Sequence, residues 1–290
     1  MTAAFSSRSP RSPRSPGSSG TSPAARRGRG VLAVGRSLLV ALGLPAVLVA
    51  VWWVVSEDFN SFYFPPLREI LEVFRPTWFE GRITSELLPS LGRLSAGYAL
   101  AVLLGIAIGV PIGSSARLRA FVEPVLEFFR AIPPPVLVPV LMLFFGIGTS
   151  MKIVVIATGA LWPILLNTVE GVRGIDPLLR DTARTYRLRP LTRLRTVILR
   201  GASPQIFTGA RQALSIALIL MVISEMFAAN NGLGFTIIQF QRSFALPQMW
   251  TGILLLGLVG VLLSLLFRSV EHVVLAWYRG QRQSQRGGSR

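Results

Sequence analysis

Three ionisable side chains, Glu123, Glu127 and Arg130, are spaced at i, i+4 and i+7, so a helix carries them on one face. They lie among apolar residues, and ionisable groups inside a membrane usually face a bundle interior or a wet cavity. Two readings are open for them: a role at a solute pathway or subunit interface, or a plain ion pair near the cytoplasmic surface. Glu225 poses a related choice, since it either faces such a seam or caps the loop after it through backbone donors. Enzyme chemistry finds little to work with. His272 is the only histidine, and the absence of cysteine removes thiol nucleophiles, disulfides and Cys-based metal sites. The only lysine, Lys152, lies in Ser150-Met151-Lys152-Ile153, which does not fit the Gly-x4-Gly-Lys-Ser/Thr phosphate loop. No catalytic residue, cofactor or metal is expected, and any ATP hydrolysis has to be supplied by another chain.

The elements that would hold these residues are long apolar runs. Apolar residues make up 51% of the chain and charged ones 15%, against roughly a quarter charged in soluble domains. Ser37–Val55, Ala96–Ile112, Ile153–Val169, Ile206–Ile223 and Ile253–Phe267 each approach the ~20 residues that cross ~30 Å of hydrocarbon. A further crossing is interrupted. Val136–Ile147 is too short alone, but joined to Phe121–Ile132 it is long enough, with Pro133-Pro134-Pro135 breaking the helix. Such a break survives in a membrane where it is buried in protein or lines a wet cavity. The reading is an all-α polytopic membrane bundle of about six transmembrane helices with a long cytoplasmic loop. The net charge of +17 rests on arginines in the gaps between apolar runs. The positive-inside rule accounts for it, so no nucleic-acid partner is expected. Both termini then lie in the cytoplasm, and the location is a bacterial plasma (inner) membrane, crossed several times.

Residues 1–30, with the near-repeat Arg8-Ser9-Pro10, Arg11-Ser12-Pro13, Arg14-Ser15-Pro16, read as a disordered basic cytoplasmic tail. The apolar run that follows is too long for a signal peptide and reads as a retained first span. Residues 31–280 form the membrane domain, and 281–290 a second disordered basic tail. Ser56–Ser90 is net negative and proline-rich, so it belongs outside, with a short surface helix near Leu67–Phe74. Trp52, Trp53, Trp78, Trp250 and Trp277 fall near span ends and read as interfacial anchors.

Glu170–Gln205 is the most basic loop. Gly174–Arg189 reads as a short amphipathic helix with Ile175, Leu178, Leu179 and Ala183 on one side. A second basic helical segment, Leu191–Arg200, is expected to end before Ser203-Pro204. The bland account is a solvated topogenic loop; the length and two-helix pattern argue for a docking element.

Here the chain resembles a known family. Asp181-Thr182-Ala183, then Val197-Ile198-Leu199 and Ala202-Ser203-Pro204-Gln205-Ile206, are similar to a worn EAA loop of ABC importer permeases. Glu123-Pro124 to Ile132-Pro133-Pro134, and Pro139-Val140 to Phe145-Gly146-Ile147-Gly148, resemble the nitrate/sulfonate/taurine type. So do Pro163-Ile164-Leu165-Leu166-Asn167-Thr168, Gly171-Val172-Arg173, and Ser224-Glu225-Met226 with Gly232-Leu233-Gly234-Phe235. The resemblance implies a permease subunit that pairs with a second permease, alike or different. A cytoplasmic ABC ATPase dimer would dock beneath, and an extracytoplasmic binding protein would deliver a small solute. It assigns ATPase coupling to Asp181, Thr182, Ala183, Tyr186 and Arg187, and makes Asn167 a pathway or interface candidate beside Glu123, Glu127, Arg130 and Glu225. The solute would be a sulfonate, nitrate or similar anion, or a small vitamin-precursor-like heterocycle.

The loop departs from the family where Arg187 replaces a glycine that normally makes a left-handed turn. An arginine there is disfavoured, so either the turn is rebuilt or the docking is altered. One expectation is that this subunit pairs with a different permease whose loop is intact. Rival readings are a self-contained secondary transporter, which would need a second copy of the broken helix, and a membrane assembly subunit that transports nothing.

Overall fold

The computed structural model describes residues 43–57, 62–227 and 229–278. The tails expected over 1–30 and 281–290 lie outside the described residues, as do the first residues of the expected first span. What is described of that span is a helix of apolar character, α1 (Gly43–Glu57), which belongs to a separate compact unit.

The rest of the chain forms the second unit. α2 (Leu67–Phe79) extends the expected surface helix by more than a turn. α3 (Ile83–Ser114), α6 (Thr149–Arg173), α8 (Pro190–Phe227) and α10 (Leu246–Val274) are each long and apolar enough to cross a membrane. α4 (Ala116–Ala131) and α5 (Pro134–Phe145) together make the interrupted crossing and meet at a 75° bend. The bend follows from the three prolines, which lack the N–H groups that would have bonded the last turn of α4. The Ile132 amide turns back to the Phe129 carbonyl instead, and that of Val136 to Pro133. Two short helices complete the chain, α7 (Pro177–Thr185) in the basic loop and α9 (Leu233–Arg242) in the expected loop between the last two spans. All described regular elements are helical.

α3, α6 and α8 pack into the core. Lipid tails are as apolar as leucine, so helices associate in a membrane through close contact between backbones. Gly97, Gly105, Gly109 and Gly113 lie along one face of α3, where an added Cβ would come within 2.7 to 2.8 Å of atoms in α6. The buried cluster between these helices includes Leu94, Val155, Ile156, Ile164, Leu220 and Met221. α10 is different, with only 6% of its apolar window buried. Trp78, expected at a membrane interface, is fully buried and donates to Thr251 at 2.9 Å, tying α2 to α10.

The second basic segment of the loop does not stop before Ser203-Pro204. It forms the first part of α8, which passes through π-helical turns at Leu194–Leu199 and continues without a stop. Proline at 204 removes the amide that would bond the Arg200 carbonyl, and the Ser203 hydroxyl donates to that carbonyl at 2.8 Å. A side-chain donor of this kind lets a membrane helix continue through proline.

Candidate functional site

Two places in the second unit concentrate polar chemistry, one at each end of the core. At the end shared by the start of α3, the start of α6 and the close of α8, Glu225 is fully buried. Its carboxylate accepts from Arg93 at 2.7 Å, from the Ser90 hydroxyl at 2.8 Å and from the Gly234 amide at 3.1 Å. Arg93 also donates to the carbonyl and side chain of Asn231. The Gly232 amide donates to Glu86 at 2.6 Å, and the Leu233 amide to the Ser90 hydroxyl at 2.9 Å. The first free amides of α9, which a helix start leaves without internal partners, are thus taken by side chains of α3 and α8. Lys152 is 3% exposed and within electrostatic reach of both Arg93 and Glu225. With Glu86, two acids balance two bases.

Gly232 is needed there for two reasons. Its φ is 122°, which other residues resist, and an added Cβ would lie 2.4 Å from the Glu225 carboxyl carbon. Glu225 therefore holds the backbone of the loop between α8 and α9 in the way a cap does, while also ion-pairing with Arg93, the two side chains being 0% and 6% exposed.

At the other end, α7 stands at the tip between α6 and α8. Asp176 caps it by accepting from the Leu178 amide at 2.8 Å, and Pro177 occupies the first turn, where its missing N–H costs nothing. The expected apolar side is split: Ile175 and Ala183 are buried against the bundle, while Leu178 and Leu179 are 72% and 57% exposed. Spacing accounts for Leu178, which lies well round the helix from Ala183, whereas Leu179, four residues before Ala183, shares its side and is exposed all the same. Tyr186 is 76% exposed, and Asp181 makes only an exposed contact with Arg184 at 3.5 Å. Thr182 donates to the Leu178 carbonyl within the helix.

Arg187 answers the question its position raised. Its φ is 50°, so the left-handed turn is kept with an arginine in it. The Leu188 amide bonds the Ala183 carbonyl at 3.1 Å and the Arg187 amide bonds Arg184 at 2.9 Å, the pair of bonds that closes a helix with a Schellman turn. Phe244 does the same after α9, with φ 56°.

Glu123, Glu127 and Arg130 are brought together, lining a cleft of about 260 Å3 with Arg119 and Glu170 between α4 and α6. Glu127 and Arg130 pair at 2.7 Å, both about half exposed. Asn167 is elsewhere: it donates to the Pro163 carbonyl of its own helix at 2.8 Å and packs where Gly209 of α8 crosses α6. Glu225 shares no contact with either group. Sequence reasoning missed Arg93, Ser90 and Glu86, and gave Lys152 no role beyond its misfit with a phosphate loop. The signal available was a lone lysine and an arginine at the edges of apolar runs, which burial makes costly unless they are balanced.

Known proteins resemble this chain in sequence and in fold. The family described as binding-protein-dependent transport system inner membrane component matches residues 101–279, which include α7 and Glu225. The chain is 30% identical over 81% of its length to the aliphatic sulfonates transport permease protein SsuC of Bacillus subtilis, covering 86% of that protein. It is 29% identical to the taurine transport system permease protein TauC of Escherichia coli, over 88% of this chain and 95% of that one. Its fold is similar to that of a chain in the inward-facing MetNI methionine ABC transporter, with a TM-score of 0.56 and 22% identity over 65% of this chain and 94% of that one. A bundle that ends in an exposed helix between two spans, and that carries this family's sequence along most of its length, belongs to the binding-protein-dependent transport system inner membrane components: the chain is a multi-pass membrane permease subunit of an ABC importer.

Proposed function

We propose that α7, through Asp181, Thr182, Tyr186 and Arg187 and with Ala183 held against the bundle, seats in a cytoplasmic ATPase and passes its closure to α6 and α8 as rigid-body motion. The observation that carries this reading is the exposure of Leu178, Leu179 and Tyr186 on a helix capped at both ends. Apolar groups held rigidly in water are a docking face awaiting a partner. Ala183 faces the bundle and serves as the hinge-side contact rather than the ATPase-side one. The α7 end is then cytoplasmic, with both chain termini on that side, and the Glu225 network lies at the outer face. There a solute-binding protein delivers to a pathway shared with a second permease subunit. The solute is a small anion of the sulfonate or nitrate class, by analogy with the relatives.

The test is affinity purification of the tagged chain in mild detergent, followed by mass spectrometry. An ATPase is expected to copurify and to be lost when residues 181–189 become a Gly/Ser linker. Recovery of the chain with no ATPase, even after crosslinking, overturns the coupling role. A complex with two copies of this chain and no other permease overturns the expected pairing with a different subunit.

A further inference from the structure

α8 and α10 leave a continuous groove between them, and its two halves differ in chemistry. The half toward the α7 end has a volume of about 610 Å3 and is lined by Thr208, Arg211, Arg268, Ser269, Glu271 and Tyr278, among others. The half toward the middle of the bundle, about 670 Å3, is lined mainly by apolar residues such as Leu214, Leu218, Val261 and Leu263, with Gly257 and Gly260 forming its floor. The halves join at Arg211, Leu265 and Arg268, which line both.

Arg211 lies little more than one turn inside the apolar stretch of α8 that begins at Ile206, and pairs with Glu271 of α10. An arginine at such a depth usually marks a polar contact that matters. Arg268 is exposed and has no ion-pair partner among the described residues. Arg211 and Arg268 against Glu271 leave the polar half with one positive charge in excess. From Gly257 to Arg268 the groove follows α10 for about 16 Å at about 1.5 Å per residue, close to the roughly 15 Å of hydrocarbon in one leaflet. Nothing lies within 4 Å of where a Gly257 Cβ would sit, so the floor is open there, while at Gly260 the Leu218 side chain comes within 3.1 Å and forms the wall.

From this geometry we infer that the groove is a binding site for one anionic phospholipid: Arg268 and Arg211 hold the phosphodiester and an acyl chain lies along Leu214, Leu218 and Gly257. Basic pockets between spans on the cytoplasmic side suit such headgroups. The leaflet follows from the orientation proposed above; the site itself does not depend on it. Bound lipid would tether the exposed α10 to the core through α8, the helix that begins beside the coupling loop.

The test is native mass spectrometry of the full chain, purified in mild detergent and offered phosphatidylglycerol or phosphatidylcholine. One phosphatidylglycerol per chain is expected, and phosphatidylcholine is retained less. Arg268→Gln weakens retention of phosphatidylglycerol about fivefold, the effect of roughly one basic side chain at an anionic headgroup. Gly257→Leu, which fills open space, weakens retention of both lipids while leaving the charged end intact. Equal retention of the two lipids with neither variant having an effect overturns the site. Displacement by inorganic phosphate alone overturns the lipid as the occupant. The chain has no cysteine, so Ser264→Cys provides a single thiol; disulfide crosslinking to a second copy would assign the groove to a subunit interface instead.

Discussion

The network around Glu225 and the helix α7 are both polar features at the ends of long spans, and they are built in opposite ways. Around Glu225 three charges are buried, Arg93, Lys152 and Glu225 itself, with Glu86 half-buried beside them, and the amides at the start of α9 are taken by side chains of the same chain. On α7 the caps are internal, but Leu178, Leu179 and Tyr186 are each more than half exposed. The first region is complete within one chain; the second, on the function proposed above, is half of an interface. A buried network leaves little tolerance for loss of any member, because an unpaired charge in low dielectric is costly. An exposed helix tolerates substitution in folding terms and expresses its losses only when a partner binds.

That contrast can be broken or sharpened by substitution. The largest effect is expected for Glu225→Gln, which leaves Arg93 and Lys152 buried without their partner. Breaking a buried pair costs about 3–5 kcal/mol, read as a loss of thermal stability in detergent, and Arg93→Met combined with Glu225→Met should recover part of it. Gly232→Ala comes next, at about 2 kcal/mol, because it forces a β-carbon against the Glu225 carboxyl in a backbone conformation that alanine resists. Tyr186→Ala and Leu179→Ala should leave thermal stability within about 0.5 kcal/mol and weaken ATPase capture about tenfold. If they unfold the chain instead, α7 is part of the core and the contrast fails. The smallest effect is expected for Arg187→Gly, which relieves the left-handed strain and should stabilise the loop by about 1 kcal/mol. A fall in stability would mean that the arginine side chain holds the turn.

Much of this was legible in the residues. The apolar runs marked the spans, Pro133-Pro134-Pro135 marked the break now seen as a 75° bend, and the arginine-rich loop marked α7. The errors have specific causes. Pro204 read as a helix stop because Ser203 was not seen as a donor to the Arg200 carbonyl. The loop between the last two spans hid α9 because its start is capped from distant residues, Glu86 and Ser90, rather than from its own sequence. Trp78 read as an interfacial anchor because nothing local pairs it with Thr251, 173 positions later.

By itself the sequence determined where segments apolar enough for lipid lie and where the helices cannot continue regularly, because hydrocarbon thickness and proline geometry are local constraints. Only the tertiary structure decided which charges are neighbours. Arg93, Lys152 and Glu225 come from three different helices, and each looks costly until the close packing of those helices brings them together. The same holds for Arg187, whose turn is held by hydrogen bonds that no composition reveals. Spans follow from the free energy of placing residues in lipid one at a time; a buried network follows from distances between residues far apart in the chain.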